Sequence, residues 1–247
     1  MSPNPPRTEN VYLFIPNLIG YTRITLALAS LHYMPYHPLT CATLYTLSCL
    51  LDAIDGLAAR HLHQSTHFGA VLDMLTDRCT TSCLLVFLAT AFPRWSILFQ
   101  GLISLDYSSH YIHMYATLAM GGNRKSHKEI GDGRHWALRV YYSNTVVLFI
   151  TCFGNELFFL TVYLLSFSME AAGGQVWASP WSAGAMERAR ANKVDQFIPG
   201  ILLWASAPVM VFKQYVNVIQ LVEGSRWLVR GDREYRREMG LVKKRVE

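Results

Sequence analysis

The sequence predicts an all-α, polytopic membrane protein with about six transmembrane helices. Half of its 247 residues (51%) are hydrophobic and the mean hydropathy is +0.19, more apolar side chain than a soluble domain of this length buries. Low-charge apolar stretches recur at 12 to 34, 38 to 59, 68 to 92, 96 to 120, 140 to 167 and 198 to 222, each close to the roughly 20 residues a spanning helix requires. Pro16, Pro93 and Pro199 interrupt them near their ends and little else does. Lipid offers backbone groups no partner outside the segment, so stretches of this length span as helices.

Taken in order, the first stretch carries Asn17 and Arg23 in an otherwise apolar run, and it is expected to act as its own insertion signal, since a polar, proline-rich dozen residues precede it and no small-residue cleavage site follows. The second and third are joined by LLDAIDGLAARHLHQSTHFGAVLDMLTDRC, with a turn expected over 61 to 67. Asp106, His110 and His113 fall at i, i+4 and i+7 on the fourth, a single polar stripe on an apolar helix. Asn155 and Glu156 are polar residues within the fifth. After the sixth, residues 223–247 form a charged tail, read as a solvated helix distinct from a transmembrane catalytic domain over 1–222.

Lys and Arg set the orientation. Arg7, Arg60, Arg124, Lys125, Lys128, Arg134, Arg139 and the tail lie on one side, which is expected to be cytosolic; the other side has Arg94 and a loop, 168 to 197, with Arg188, Arg190 and Lys193. The formal net charge of +5 follows from this topology and needs no nucleic acid to explain it. Five cysteines, Cys41, Cys49, Cys79, Cys83 and Cys152, all fall within spans, which suits small buried hydrophobes better than a disulfide framework. Trp95, Trp136 and Trp227 lie near span ends, where amphipathic rings anchor helices.

The joined second and third stretches hold the chemistry. Each aspartate near the centre of a spanning helix costs about 2.5 to 3.5 kcal/mol, so four unpaired ones would cost on the order of 10 kcal/mol. Asp52 and Asp55 are i, i+3 and Asp73 and Asp77 are i, i+4, which places each pair on one helix face. In an antiparallel hairpin the two faces meet at matching depth, about 10 to 15 Å inside the turn at ~1.5 Å per residue. Four carboxylates so close need a cation, and all-oxygen ligation selects hard ions such as Mg²⁺ or Mn²⁺. Arg60 and Arg78 nearby suit phosphate oxygens, so phosphoryl chemistry is the expected class. Two other readings stand beside it: a salt-bridge network of these acids with Arg60, Arg78 and histidines, and a cation or proton transporter, whose acids usually lie nearer the midplane. His61, His63 and His67 lack thiolates at ligand spacing, and the hard-oxygen cluster beside them argues against zinc.

The spacing Asp52-x2-Asp55-Gly56-x2-Ala59-Arg60-x8-Gly69-x3-Asp73-x3-Asp77 resembles the complete signature of the CDP-alcohol phosphatidyltransferases. FIPNLIGYTRI at 14 to 24, LDMLTDRC at 72 to 79, SHK at 126 to 128 and FGNELF at 153 to 158 are similar to the eukaryotic phosphatidylinositol synthase branch. The resemblance implies that family's fold and transfer of a phosphatidyl group from CDP-diacylglycerol to myo-inositol. It implies two metal ions on Asp52, Asp55, Asp73 and Asp77, contacts from Gly56, Arg60 and Thr66 to the CDP part, and Asp77 as the base. It further implies an endoplasmic reticulum membrane location, a site facing the cytosol, and a homodimer. Another acceptor alcohol would keep the same chemistry; a phosphorylated one would demand more arginines than Arg78 and Arg139. For the inositol itself, Asp106, His110, His113, Asn155, Glu156 and the run Lys125 to Lys128 are candidates, each equally explained by interhelical hydrogen bonds or topogenic charge.

Overall fold

The computed structural model describes residues 9–120, 135–167 and 194–241. Arg7, Arg124, Lys125, Ser126, His127, Lys128, Arg134, residues 168–193 of the long loop with Arg188, Arg190 and Lys193, and the last six residues of the tail lie outside them. Among the described residues seven α-helices follow in order: α1 (Ile15–Tyr33), α2 (Pro38–His61), α3 (His67–Ala91), α4 (Ser96–Met120), α5 (Trp136–Ser143), α6 (Thr145–Leu165) and α7 (Phe197–Glu238). The described residues contain no strand. Three helices are long and apolar enough by length and composition to cross a membrane: α2, α6 and α7. The expected spans 12 to 34, 68 to 92 and 96 to 120 are also helical, as α1, α3 and α4, but their internal charged and polar side chains lower their hydropathy. Large apolar residues face outward in the manner of a lipid-facing surface, among them Ile97 at 85% and Trp204 at 79% exposure.

Local sequence explains the boundaries. Pro38 opens α2, where its missing N–H costs nothing. Asn144 splits the expected fifth span: its backbone is extended, and its side chain accepts from Val146 N at 3.0 Å, capping α6. Pro208, which the sequence reading did not single out, lies inside α7, and the helix continues through it. α7 continues past residue 222 to Glu238, with Arg226 paired to Glu223 at 2.9 Å. The five cysteines form no disulfide; Cys41 is buried, but Cys79 and Cys83 are exposed rather than packed inside.

The chain divides into two compact units. The first comprises Met1–Ser96 and Phe159–Leu203. Here α1 packs against both α2 and α3. Gly20 and Gly69 sit at the α1–α3 crossing: a Cβ on Gly20 would lie 3.1 Å from Leu72 Cδ2, and one on Gly69 would lie 2.9 Å from Asn17 Oδ1. Tyr163 donates to the Met34 carbonyl at 2.7 Å, within an aromatic cluster with Phe87 and Phe167. The second unit comprises Ile97–Phe158 and Trp204–Glu247, with a core of Ala137, Leu138, Tyr141 and Val216.

Candidate active site

The turn between α2 and α3 is built by three local devices. The α2 end closes in a Schellman pattern, with Gln64 N bonded to Ala59 O at 2.9 Å and His63 N to Arg60 O at 3.4 Å, which leaves His63 left-handed at φ 55°. Thr66 caps α3 by accepting from Gly69 N at 3.0 Å. Gln64 Oε1 accepts from Ile15 N at 3.0 Å, so the turn also fixes the start of α1.

Leu50, Ile54 and Leu57 point outward from α2 while Asp55 is buried on its inner face. The α3 pair is half-buried, with side-chain exposures of 45% for Asp73 and 33% for Asp77. Carboxylate oxygens of Asp52, Asp55 and Asp73 lie within 4.8 Å of one another, close enough to share one metal ion. All four aspartates converge on Arg23 of α1. Its Nη1 lies 2.8 Å from Asp52 Oδ1, 2.7 Å from Asp55 Oδ2 and 2.6 Å from Asp73 Oδ1, and its Nη2 pairs with Asp77. Arg78 also approaches Asp77, at 3.5 Å. Ser48 Oγ donates to the Arg23 carbonyl at 3.1 Å, tying α1 to α2 at this level.

The hairpin therefore assembles the acids together with α1, through Arg23, which the sequence showed only as a charged residue in an apolar run. Of the salt-bridge partners considered from sequence, Arg78 reaches the cluster, whereas Arg60 is exposed on the next turn. A Cβ on Gly56 would lie 3.6 Å from Arg60 Nη1, so Gly56 leaves the Arg60 guanidinium beside an open stretch of backbone. Oxygen-only donors, three of them mutually within ion-sharing range and already gathered on a cation, fit a hard divalent metal.

The family model for CDP-alcohol phosphatidyltransferase matches residues 13–223, an interval that contains every one of these side chains. The chain belongs to the CDP-alcohol phosphatidyltransferase family. It is 47% identical to the CDP-diacylglycerol–inositol 3-phosphatidyltransferase of Schizosaccharomyces pombe over 247 aligned residues, covering 96% of this chain and 98% of the relative. Proteins of the same name from Homo sapiens (44% identity, 88% and 92% covered) and Saccharomyces cerevisiae (39%, 94% and 93%) are also similar. No solved structure matches. Divalent metal is general to CDP-alcohol phosphatidyltransferases, in keeping with the acid cluster.

The polar residues expected on α4 and α6 lie in the second unit of this phosphatidyltransferase, in a buried network. Asn217 Nδ2 donates to Asp106 Oδ1 at 3.3 Å, and Lys213 Nζ donates to Asn217 Oδ1 at 2.9 Å while standing 5.0 Å over the Tyr141 ring. Gln214 Nε2 donates to Asn155 Oδ1 at 2.9 Å, and Asn155 Nδ2 to Glu156 Oε1 at 3.2 Å. His110 Nδ1 lies 2.8 Å from the Asp106 carbonyl, and His113 stacks on Tyr142. The sequence reading missed the α7 partners. Lys213, Asn217 and Gln220, whose Nε2 donates to Tyr142 Oη at 2.8 Å, recur at i, i+4 and i+7, the spacing that exposed the α4 stripe, and the same test would have found them; Gln214 lies off that spacing.

Proposed function

We propose that the chain transfers the phosphatidyl group of CDP-diacylglycerol to myo-inositol, giving phosphatidylinositol and CMP. The observation that carries this reading is the match, over nearly the whole of both chains, to proteins named for that reaction. The aspartates drawn to one centre support its chemistry. A hydroxyl oxygen of inositol attacks the lipid-side phosphorus in line, its new O–P bond forming as the P–O bond to CMP breaks. The hydroxyl proton passes to the carboxylate of Asp77, whose side chain is half-buried, and no covalent enzyme intermediate is required.

Asp52, Asp55, Asp73 and Asp77 would hold two Mg²⁺ or Mn²⁺ ions, which when bound supply charge neutralisation at the diphosphate and the departing CMP. Gly56 and Arg60 would receive the CDP part, the glycine by leaving backbone open and the exposed guanidinium by donating to phosphate oxygens. The Thr66 oxygen accepts from Gly69 N, so its O–H is the part left to donate to the nucleotide. The reading places catalysis in residues 1–222, with 223–247 as a charged tail, in the endoplasmic reticulum membrane with the site facing the cytosol, in a homodimer. CMP release by detergent-purified protein given CDP-diacylglycerol and Mg²⁺, with a panel of acceptors and with and without chelator, tests it. Release with myo-inositol alone, lost on chelation, is expected; release with another acceptor would keep the reaction class and overturn the acceptor.

A further inference from the structure

Arg23 is 1% exposed, and its environment is poor for a guanidinium but good for an ion. Nη1 carries two N–H bonds. It donates them to Asp55 at 2.7 Å and Asp73 at 2.6 Å, and Asp52 Oδ1 stands 2.8 Å from the same nitrogen with no third hydrogen to receive. Three oxygens around one centre are what a spherical cation satisfies and a planar nitrogen cannot. These are the three carboxylates close enough to share a metal. On the other side of the guanidinium, Nε is buried with no acceptor among the described residues. A buried donor left unmade costs free energy, so this position does not satisfy the arginine fully. Four carboxylates against Arg23, with Arg78 3.5 Å from Asp77 as the second guanidinium, also outnumber the positive charges at the cluster.

We infer that Arg23 is the resident counter-cation of the metal-free acid cluster, holding the four aspartates in place until a divalent ion exchanges for it. The inference rests on the metal reading proposed above and adds a positioning role for α1. Without the guanidinium, four adjacent carboxylates in a membrane helix pair would repel one another and splay; with it, they are gathered, though bound to a competitor that must withdraw its Nη1 contacts as metal enters. Arg23 therefore weakens substrate-free metal binding while stabilising the metal-free fold. A merely structural arginine would do the opposite to metal affinity, because its loss would disorder the site.

The test is a Mn²⁺ titration followed by electron paramagnetic resonance on the detergent-solubilised full chain without substrates, with melting temperature measured with and without Mn²⁺. Arg23→Gln is expected to bind Mn²⁺ about tenfold tighter than the unsubstituted chain, to melt lower without metal, and to recover more on metal addition. Arg23→Lys keeps the charge but cannot span all four carboxylates, so it is expected to bind several-fold tighter and serves where the glutamine variant does not fold. Equal or weaker Mn²⁺ affinity in the folded variants, with binding intact in the unsubstituted chain and lost in Asp73→Asn, would overturn the exchange and leave the metal reading standing. Absence of Mn²⁺ binding in every protein would overturn both.

Discussion

Arg23 shows how far a single side chain could be read in advance. One arginine in an apolar helix demands a counter-charge, and four aspartates on the next two helices demand a cation, but sequence offers several partners for each. Arg60, on the same helix as Asp52 and Asp55, is exposed beyond the cluster; Arg23, on another helix, lies at its centre. Roles within the cluster can be separated by substitution. Asp77→Asn keeps the shape and removes the base, so CMP release is expected to fall about a hundredfold to ten-thousandfold with the melting temperature little changed; a near-normal rate would take the role of base from Asp77. At the turn, His63 holds φ 55°, a conformation that costs a side-chain-bearing residue about 1–2 kcal/mol. His63→Gly is expected to raise stability by roughly 0.5–1 kcal/mol, less than the full strain because glycine gains freedom in the unfolded chain, as read from thermal or chemical unfolding.

Among the helices, close approach is set by glycines whose importance no hydropathy profile registers. A Cβ on Gly154 of α6 would lie 2.6 Å from Val209 Cγ1 of α7, and one on Gly224 would lie 2.8 Å from Ile112 Cγ2 of α4. Gly101 and Gly200 have open space at that position. Gly154→Ala is therefore expected to destabilise the protein by about 1–3 kcal/mol through overpacking, whereas Gly101→Ala is neutral or slightly stabilising; equal melting temperatures for the two would refute the α6–α7 packing. Gly69 answers the motif question in the same terms. Its bare Cα lets Asn17 Oδ1 of α1 and the Thr66 cap approach α3 together, so Gly69→Ala is expected to lower stability and CMP release in parallel. The α5–α6 break at Asn144 was missed because a polar trio inside an apolar stretch reads as tolerated polarity until its side chain is seen capping the next helix.

For the whole molecule, the orientation expected from Lys and Arg would put the 62–66 turn in the cytosol and residues 93–95 on the opposite side. With the five native cysteines replaced, Ser65→Cys in sealed microsomes is expected to react with a membrane-impermeant maleimide and Arg94→Cys only after permeabilisation. The reverse pattern would invert the topology. Chelation is expected to stop CMP release while far-ultraviolet circular dichroism stays unchanged, because on the exchange inferred above Arg23 takes up the four acids again when metal is withdrawn.

The sequence by itself determined the helical membrane class, the place of the long helices and the four aspartates, because hydropathy and helical spacing are local properties of the chain. It also carried the family, through a motif confined to residues 52–77. Only the tertiary structure decided which cation meets those aspartates and which α7 residues face Asp106 and Asn155. The reason is physical: Arg23 is separated from Asp77 by 54 residues and Asn217 from Asp106 by 111, and such pairings depend on how helices cross rather than on any pattern within one of them.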